Sequence, residues 1–278
     1  YASYADILAE LLGMKEGYNF SDLTGGDLGF TLEEAIKALA ANENIIAGAD
    51  LITINYGRIA AYANINKEIA NWEEILGAEA AEKIEELIAY ILDVVTEPID
   101  ESILGLLGAE TIVGMVENYV YAQVARMVTI HKLVEELHKM APEALVVIVG
   151  AYNEFDGVVF EAGDVKIELG EYFAAVTDVI NASFFACAMF NEQTIFVSTE
   201  GIETQVQANN GGNIAATDPE KLVALIFDTA ALQNYFVPSE AGNVEIAERI
   251  LAALNIDFKD HEHVYGYVCD ATCNLCGA

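Results

Sequence analysis

Basic residues are scarce in this chain. Its 278 residues include 12 lysines and arginines against 45 aspartates and glutamates, a formal net charge of −33. Nucleic-acid binding needs Lys and Arg at the phosphates, so we expect no nucleic-acid partner. The same charge argues against an anionic membrane surface and favours cations as partners. The chain also lacks an apolar run of roughly 20 residues, so membrane insertion is not expected.

Cysteine is equally sparse, and its placement is uneven. Three of the four cysteines lie within the last ten residues, and the fourth, Cys187, stands alone in an apolar stretch. A lone cysteine of that kind is typical of a packed core thiol. Hydrophobic residues make up 54% of the chain, which is enough for a sizeable core.

Short β-branched apolar runs predict the strands of a buried parallel sheet. The runs are Leu51 to Ile54, Leu145 to Val149 and Thr194 to Val197, and a glycine follows the first two. The alternating stretch from Val158 to Leu169 predicts a β-hairpin. Helical periodicity lies before, between and after the runs, at residues 4–12, 31–41, 72–95, 112–140, 171–190 and 239–254. Strands separated by helices indicate a parallel α/β sheet with helices on both faces.

Three further patterns carry local predictions. His131 and His138 lie seven apart on one helix beside lysines, so we expect both to be solvated. The run 209–212, Asn-Asn-Gly-Gly, predicts a loop, and Asp218-Pro219 predicts the start of a helix.

Several blocks of the chain resemble those of the SGNH, or GDSL-type, hydrolases. In order they are residues 4–9, 19–26, 49–57, 148–153, 237–242 and 246–247. The resemblance implies an α/β domain over residues 1–255 with a flavodoxin-like three-layer αβα fold, a mainly parallel sheet and a helical insertion between strands. It also implies ester hydrolysis by a serine nucleophile and a histidine base, with a glycine and an asparagine in the oxyanion hole.

The sequence departs from that family at the catalytic blocks. The vestigial positions are Gly25, Gly57, Ile59, Asn234 and Val237. Ile59 stands where the oxyanion-hole asparagine belongs, and loss of one such donor costs about 10²–10³ in rate. Val237 stands in place of the histidine and cannot accept a proton from serine. The leading interpretation is a catalytically degenerate, extracellular structural or binding protein.

Two alternatives stay open. The first is an active secreted esterase or carbohydrate esterase whose serine lies upstream of Tyr1. The second is a carbohydrate-binding module on the former cleft, lined by Tyr56, Arg58, Tyr62 and Tyr235.

Residues 256–278 form a Cys- and His-rich tail. It resembles short Cys-rich repeats at the ends of secreted proteins of anaerobic Firmicutes, which implies a secreted or cell-surface location. Four residues in it have the character of a tetrahedral zinc site, His263, Cys269, Cys273 and Cys276. A disulfide with one spare thiol, or three free thiols, are the alternatives.

The last expectation is self-association. The resemblance places the serine-bearing strand before Tyr4, so an inner strand of the sheet would have to come from an upstream segment or from a neighbouring chain. The alternating stretch Val264 to Val268 is a candidate donor strand. Transfer from each chain to the next would give a homo-oligomer, either a ring or a filament.

Overall fold

A computed structural model describes residues 3–14, 31–55, 72–96, 109–157, 159–162, 165–210, 213–214 and 237–255, and every structural statement below refers to these. The helices are α1 Tyr4–Leu11, α2 Leu32–Ala41, α3 Glu43–Ile46, α4 Ala78–Thr96, α5 Ala109–Met140, α6 Leu169–Phe190, α7 Gln205–Asn210 and α8 Glu240–Ala253. The strands are β1 Leu51–Ile54, β2 Leu145–Val149, β3 Val159–Ala162, β4 Val165–Glu168, β5 Thr194–Val197 and β6 Asn213–Ile214.

The three predicted core strands form one parallel sheet in the order β1-β2-β5. Leu51 pairs with Leu145, and Val146 pairs with Thr194, so the strands run in the same direction and end at the same edge. The predicted hairpin is confirmed as antiparallel β3 and β4, which join β6 in a second, small sheet.

Helices cover both faces of the parallel sheet, as predicted. Val146 and Ile148 point into a core shared with α2, α4, α5 and α6. Val147 and Val149 point the other way, into a core shared with α1 and α8. Because successive side chains of a strand alternate between faces, one apolar strand supplies both cores.

Side-chain caps fix the starts of the helices. Thr31 and Glu34 form the predicted capping box at α2, and Ser3 and Asp6 form a second one at α1. Ser239 caps α8 by accepting a hydrogen bond from the N–H of Gly242. These bonds satisfy backbone donors that have no partner inside a helix.

Two segments have a different secondary structure from the one predicted. The helix predicted over 72–95 is interrupted, because Gly77 has φ +87° between helical residues 72–76 and α4. Asn209 and Asn210, predicted as loop, instead end α7. The apolar periodicity continues through Gly77, and Asn209 and Asn210 have none. In both places the backbone conformation alone therefore decides where the helix ends.

The described strands leave no gap between them. β2 pairs on both sides, whereas β1 and β5 each pair on one side among the described strands. An added strand would therefore have to join the outer edge of β1 or β5 rather than enter between described strands.

Candidate functional site

The carboxyl edge of the parallel sheet gathers polar groups from separate parts of the chain. Asn55 follows β1 directly, Gly150 follows β2, and Ser198 follows β5. Ligand sites of open α/β sheets lie at this edge, so these residues define where a site is expected.

The side chain of Arg126, in α5, lies at this edge of the sheet within the protein interior. Its side chain is buried, and its Nη2 donates to Oδ1 of Asn55 at 3.0 Å and to the carbonyl oxygen of Gly150 at 3.4 Å. One guanidinium therefore ties the end of β1 to the end of β2. Its Nε has no hydrogen-bond partner in the described part of the chain.

Glu154 is a buried acidic group whose charge acts on this arginine. It follows β2 by five residues and is fully buried. Its carboxyl oxygens accept from the hydroxyl of Tyr119 at 3.2 Å and from Nε2 of Gln123 at 3.4 Å. Tyr119, Gln123 and Arg126 have the i, i+4, i+7 spacing of one helix face, so α5 presents all three toward the sheet edge.

Burial and charge act in opposite directions on Arg126. Burial lowers the pKa of the Arg126 guanidinium, and the charge of Glu154 offsets only part of that shift, so the pKa stays below its ordinary value. The ring of Phe184 lies 6.0 Å from the guanidinium carbon and adds a cation–π contact. A buried arginine is costly unless its charge is compensated, and here the hydrogen bonds to Asn55 and Gly150 and the charge of Glu154 together offset part of that cost.

Tyr4 brings α1 to the same region. Its hydroxyl donates to Oγ1 of Thr53 in β1 at 3.4 Å, and its backbone N–H donates to Oδ1 of Asn243 in α8. Burial raises the pKa of Tyr4, while the bond to Thr53 and the charge of Arg126 lower it.

The loop after β2 is held by hydrogen bonds to α6 and passes close to the backbone of β5. Asn181 of α6 accepts from the N–H of Ala151 and donates to its carbonyl oxygen, both at 2.8 Å. A Cβ on Gly150 would lie 3.0 Å from Oδ1 of Asn181 and 3.1 Å from the carbonyl oxygen of Val197. A larger residue at this position would therefore require Asn181 or the backbone of β5 to shift by a few tenths of an ångström.

Neither described histidine reaches this edge, and the prediction that both are solvated is wrong. Nε2 of His131 shares a hydrogen bond with Oγ of Ser183 at 2.8 Å, and Nε2 of His138 shares one with Oγ1 of Thr194 at 2.7 Å. Thr194 begins β5, which places His138 at the amino edge of the sheet. Both rings bridge α5 to neighbouring elements, and burial lowers the pKa of His131.

His131 and Ser183 also line a pocket of about 220 Å³ whose wall is mainly apolar. Its other lining residues are Leu76, Ile84, Met127, Val128, Lys132 and Glu135. A histidine beside a serine has the composition of a nucleophile and its base. However, Ser183 lies inside α6, where backbone N–H groups bond within the helix and are not free to stabilise an oxyanion.

Most residues of the predicted sites lie outside the described residues. This holds for Gly25, Gly57, Ile59 and Asn234, for Tyr56, Arg58, Tyr62 and Tyr235, and for His263, Cys269, Cys273 and Cys276. Val237 is described, and its carbonyl oxygen accepts from the N–H of Gln205 at 2.8 Å. No group of three or more His, Cys, Asp or Glu side chains is placed to hold a metal within the described ranges.

Sequence reasoning missed Arg126 and Glu154. Asn55 and Gly150 lie in two of the blocks that resemble the SGNH hydrolases, but Arg126, which joins them, lies outside all of those blocks. The available signal was an arginine and a glutamine three residues apart on an otherwise apolar helix face, together with an acidic residue just after a buried strand. Cys187, by contrast, is buried as predicted, and burial raises the pKa of its thiol to about 11.

Comparison with known proteins yields no family model that matches this chain and no curated protein that matches it.

Proposed function

We propose that this chain is a non-catalytic structural or binding protein, built on an SGNH-like scaffold and self-associating outside the cell. The observation that carries the proposal is the bonding of Arg126 to Asn55 and to Gly150. In a hydrolase, polar groups at this edge face the substrate. Here they are bonded to a buried side chain of the same chain.

The described histidines support the same conclusion. Acyl transfer by serine needs a base within hydrogen-bond reach of the nucleophile and donors aimed at the oxyanion. His138 lies at the opposite edge of the sheet, and the serine beside His131 sits within a helix. Neither arrangement supplies both requirements.

The strand order supports a flavodoxin-like sheet. That fold has the strand order 2-1-3-4-5. The strands of the parallel sheet, β1-β2-β5, lie side by side in the order in which they occur in the chain, as strands 3-4-5 of that fold do. Strands 1 and 2 would then join the outer edge of β1. A strand from an upstream segment, or from the neighbouring chain through residues 264–268, would bind at that edge by backbone pairing.

The proposal also includes the tail. His263, Cys269, Cys273 and Cys276 would hold one zinc ion, as the sequence predicts. Metal analysis of the purified protein should then give about one equivalent. Absence of metal together with an oxidised pair of cysteines in the intact mass would end this part of the proposal.

Hydrolysis of a p-nitrophenyl ester by a chain extended at its amino end tests the catalytic part. We expect no turnover above buffer. Turnover that disappears when one upstream serine is changed to alanine would overturn the proposal in favour of an active esterase.

Light scattering, with and without residues 256–278, tests the self-associating part. We expect particles larger than one chain, and more of them as salt rises, because salt screens the repulsion between acidic chains. A monomer over the whole range of salt would contradict self-association.

A further inference from the structure

The carboxyl half of α6 carries an apolar surface that the described fold does not cover. Three large side chains are exposed there, Phe185 at 55%, Met189 at 67% and Phe190 at 88%. Phe185 packs edge-on against Phe196 of β5, with ring centroids 6.3 Å apart, so the surface continues onto the sheet. We call these four residues the α6 patch.

This exposure is unusual for a helix of such composition. The 18 residues from Phe173 to Phe190 have a mean hydropathy of 1.6, yet only 33% of them are buried, and by length and composition alone they could cross a membrane. The sequence alone does not predict an apolar stretch of this length. An apolar helix face is normally buried, so the exposed apolar side chains in the carboxyl half of α6 form a face that the described protein leaves largely uncovered.

The patch is of the size that functional surfaces have. Three aromatic and methionine side chains exposed by more than half present on the order of 400 Å². A standard interface takes about 800 Å² from each partner. The patch would therefore form the apolar centre of a small interface, with surrounding polar surface as its rim.

We propose that the α6 patch docks against the same patch of a second copy of this chain. This names the contact surface of the self-association proposed above and rests on that proposal. The spacing of Ala182, Phe185 and Met189, three and then four residues, is that of a helix–helix seam. A seam of this kind matches itself when two copies meet about a two-fold axis.

Charge favours a second copy over the other candidates for this surface. Residues 179–190 contain no charged side chain, although the chain carries a net charge of −33. Two copies that meet here therefore bring no charged side chain of this stretch into the contact. An anionic membrane would be repelled by the rest of the molecule. Asp178 and Glu192 flank the uncharged stretch, so the contact should strengthen as salt screens them.

Sedimentation of the full chain at low and high salt tests the proposal, with the double variant Met189→Glu and Phe190→Glu. Both positions are exposed, so the variant should fold, which circular dichroism checks. We expect the variant to weaken association at least tenfold. The matched control is Tyr90→Glu on α4, which is 62% exposed and lies outside the patch. The control should associate as the unchanged chain does.

The outcomes separate the two proposals. If the unchanged chain associates and the α6 variant associates equally well, the patch is not the contact and only this inference fails. If the control weakens association as much as the variant, added charge is the cause, and the inference fails again. If the unchanged chain is a monomer at every salt concentration, self-association and the inference both fail. Binding to neutral lipid vesicles that the variant loses, without self-association, would assign the patch to a membrane instead.

Discussion

At the scale of single residues, the buried Arg126 is the side chain whose substitution should cost the most stability. Arg126 and Glu154 are both buried, and the charge of Glu154 acts on Arg126, so loss of either leaves the other inside the protein without an opposite charge. Their net contribution to stability is smaller than the cost of breaking the pair, because both groups lose their hydration on folding.

Replacing Arg126 by methionine should lower the free energy of unfolding by about 3–5 kcal/mol, since Asn55 and the carbonyl oxygen of Gly150 lose their donor and Glu154 stays buried without an opposite charge. The double variant with Glu154→Gln should lose less than the sum of the single changes, by at least about 1 kcal/mol. Urea unfolding of the four proteins in this cycle measures the difference.

Arg249→Met supplies the control for that cycle. Arg249 bonds to Glu245 on the surface of α8 and is partly exposed, so its loss should cost about 1 kcal/mol or less. Equal losses for Arg126 and Arg249, or strict additivity in the cycle, would refute the electrostatic coupling of Arg126 with Glu154.

His131 should make stability depend on pH. Burial lowers its pKa in the folded protein below the ordinary 6.5, so the folded state binds the proton less well than the unfolded chain. Its contribution is fully present above about pH 6.5 and is lost as pH falls through the folded pKa.

The measurement is the free energy of unfolding of the unchanged chain and of His131→Gln between pH 7.5 and 5.5. Glutamine can still bond to Ser183 but does not titrate in this range. The unchanged chain should lose more stability on acidification than the variant does, and parallel curves would contradict the prediction.

At the scale of elements, glycine has different roles in two neighbouring helices. Gly77 lies between two helical segments at φ +87°, a backbone conformation that L side chains rarely adopt. Gly114 lies inside α5 with ordinary helical geometry, and a Cβ there would meet nothing within 4 Å. The same substitution should therefore have opposite effects at the two positions.

Gly77→Ala should destabilise the protein by about 1–3 kcal/mol, because the backbone must hold a strained conformation. Gly114→Ala should stabilise it by about 0.5–1 kcal/mol, because alanine loses less backbone entropy in a helix. Thermal unfolding of both variants compares them directly. A Gly77→Ala variant that is as stable as the unchanged chain would show that the break is not fixed by the backbone conformation of Gly77, and a destabilised Gly114→Ala variant would contradict the prediction for α5.

At the scale of the whole molecule, the net charge of −33 is the dominant property. Repulsion among acidic groups opposes the compact state, and salt screens it. The surface pairs offset little of this repulsion, since exposed pairs such as Lys83 with Glu79 contribute at most about 1 kcal/mol each.

The melting temperature should rise between about 10 mM and 500 mM sodium chloride, where the screening length falls well below the size of the domain. The measurement is best made at low protein concentration, so that association does not contribute. A melting temperature that falls or stays constant would show that self-repulsion does not limit stability.

The sequence by itself determined the local elements and their class. Leu51 to Ile54 and Leu145 to Val149 were recognisable as buried strands because β-branched runs have few other stable environments. The capping box of Thr31 and Glu34 was recognisable because both partners lie within one helical turn. Helices alternating with strands then predicted the parallel sheet and its two covered faces.

Only the tertiary structure decided which side chains meet. Arg126 bonds to Asn55 across 71 residues of sequence, and His131 bonds to Ser183 across 52. Periodicity predicts which face of a helix is buried, but it does not predict which polar group of another element that face contacts. For that reason the arginine at the sheet edge was missed and both histidines were placed in solvent, although the strands that carry the site were predicted correctly.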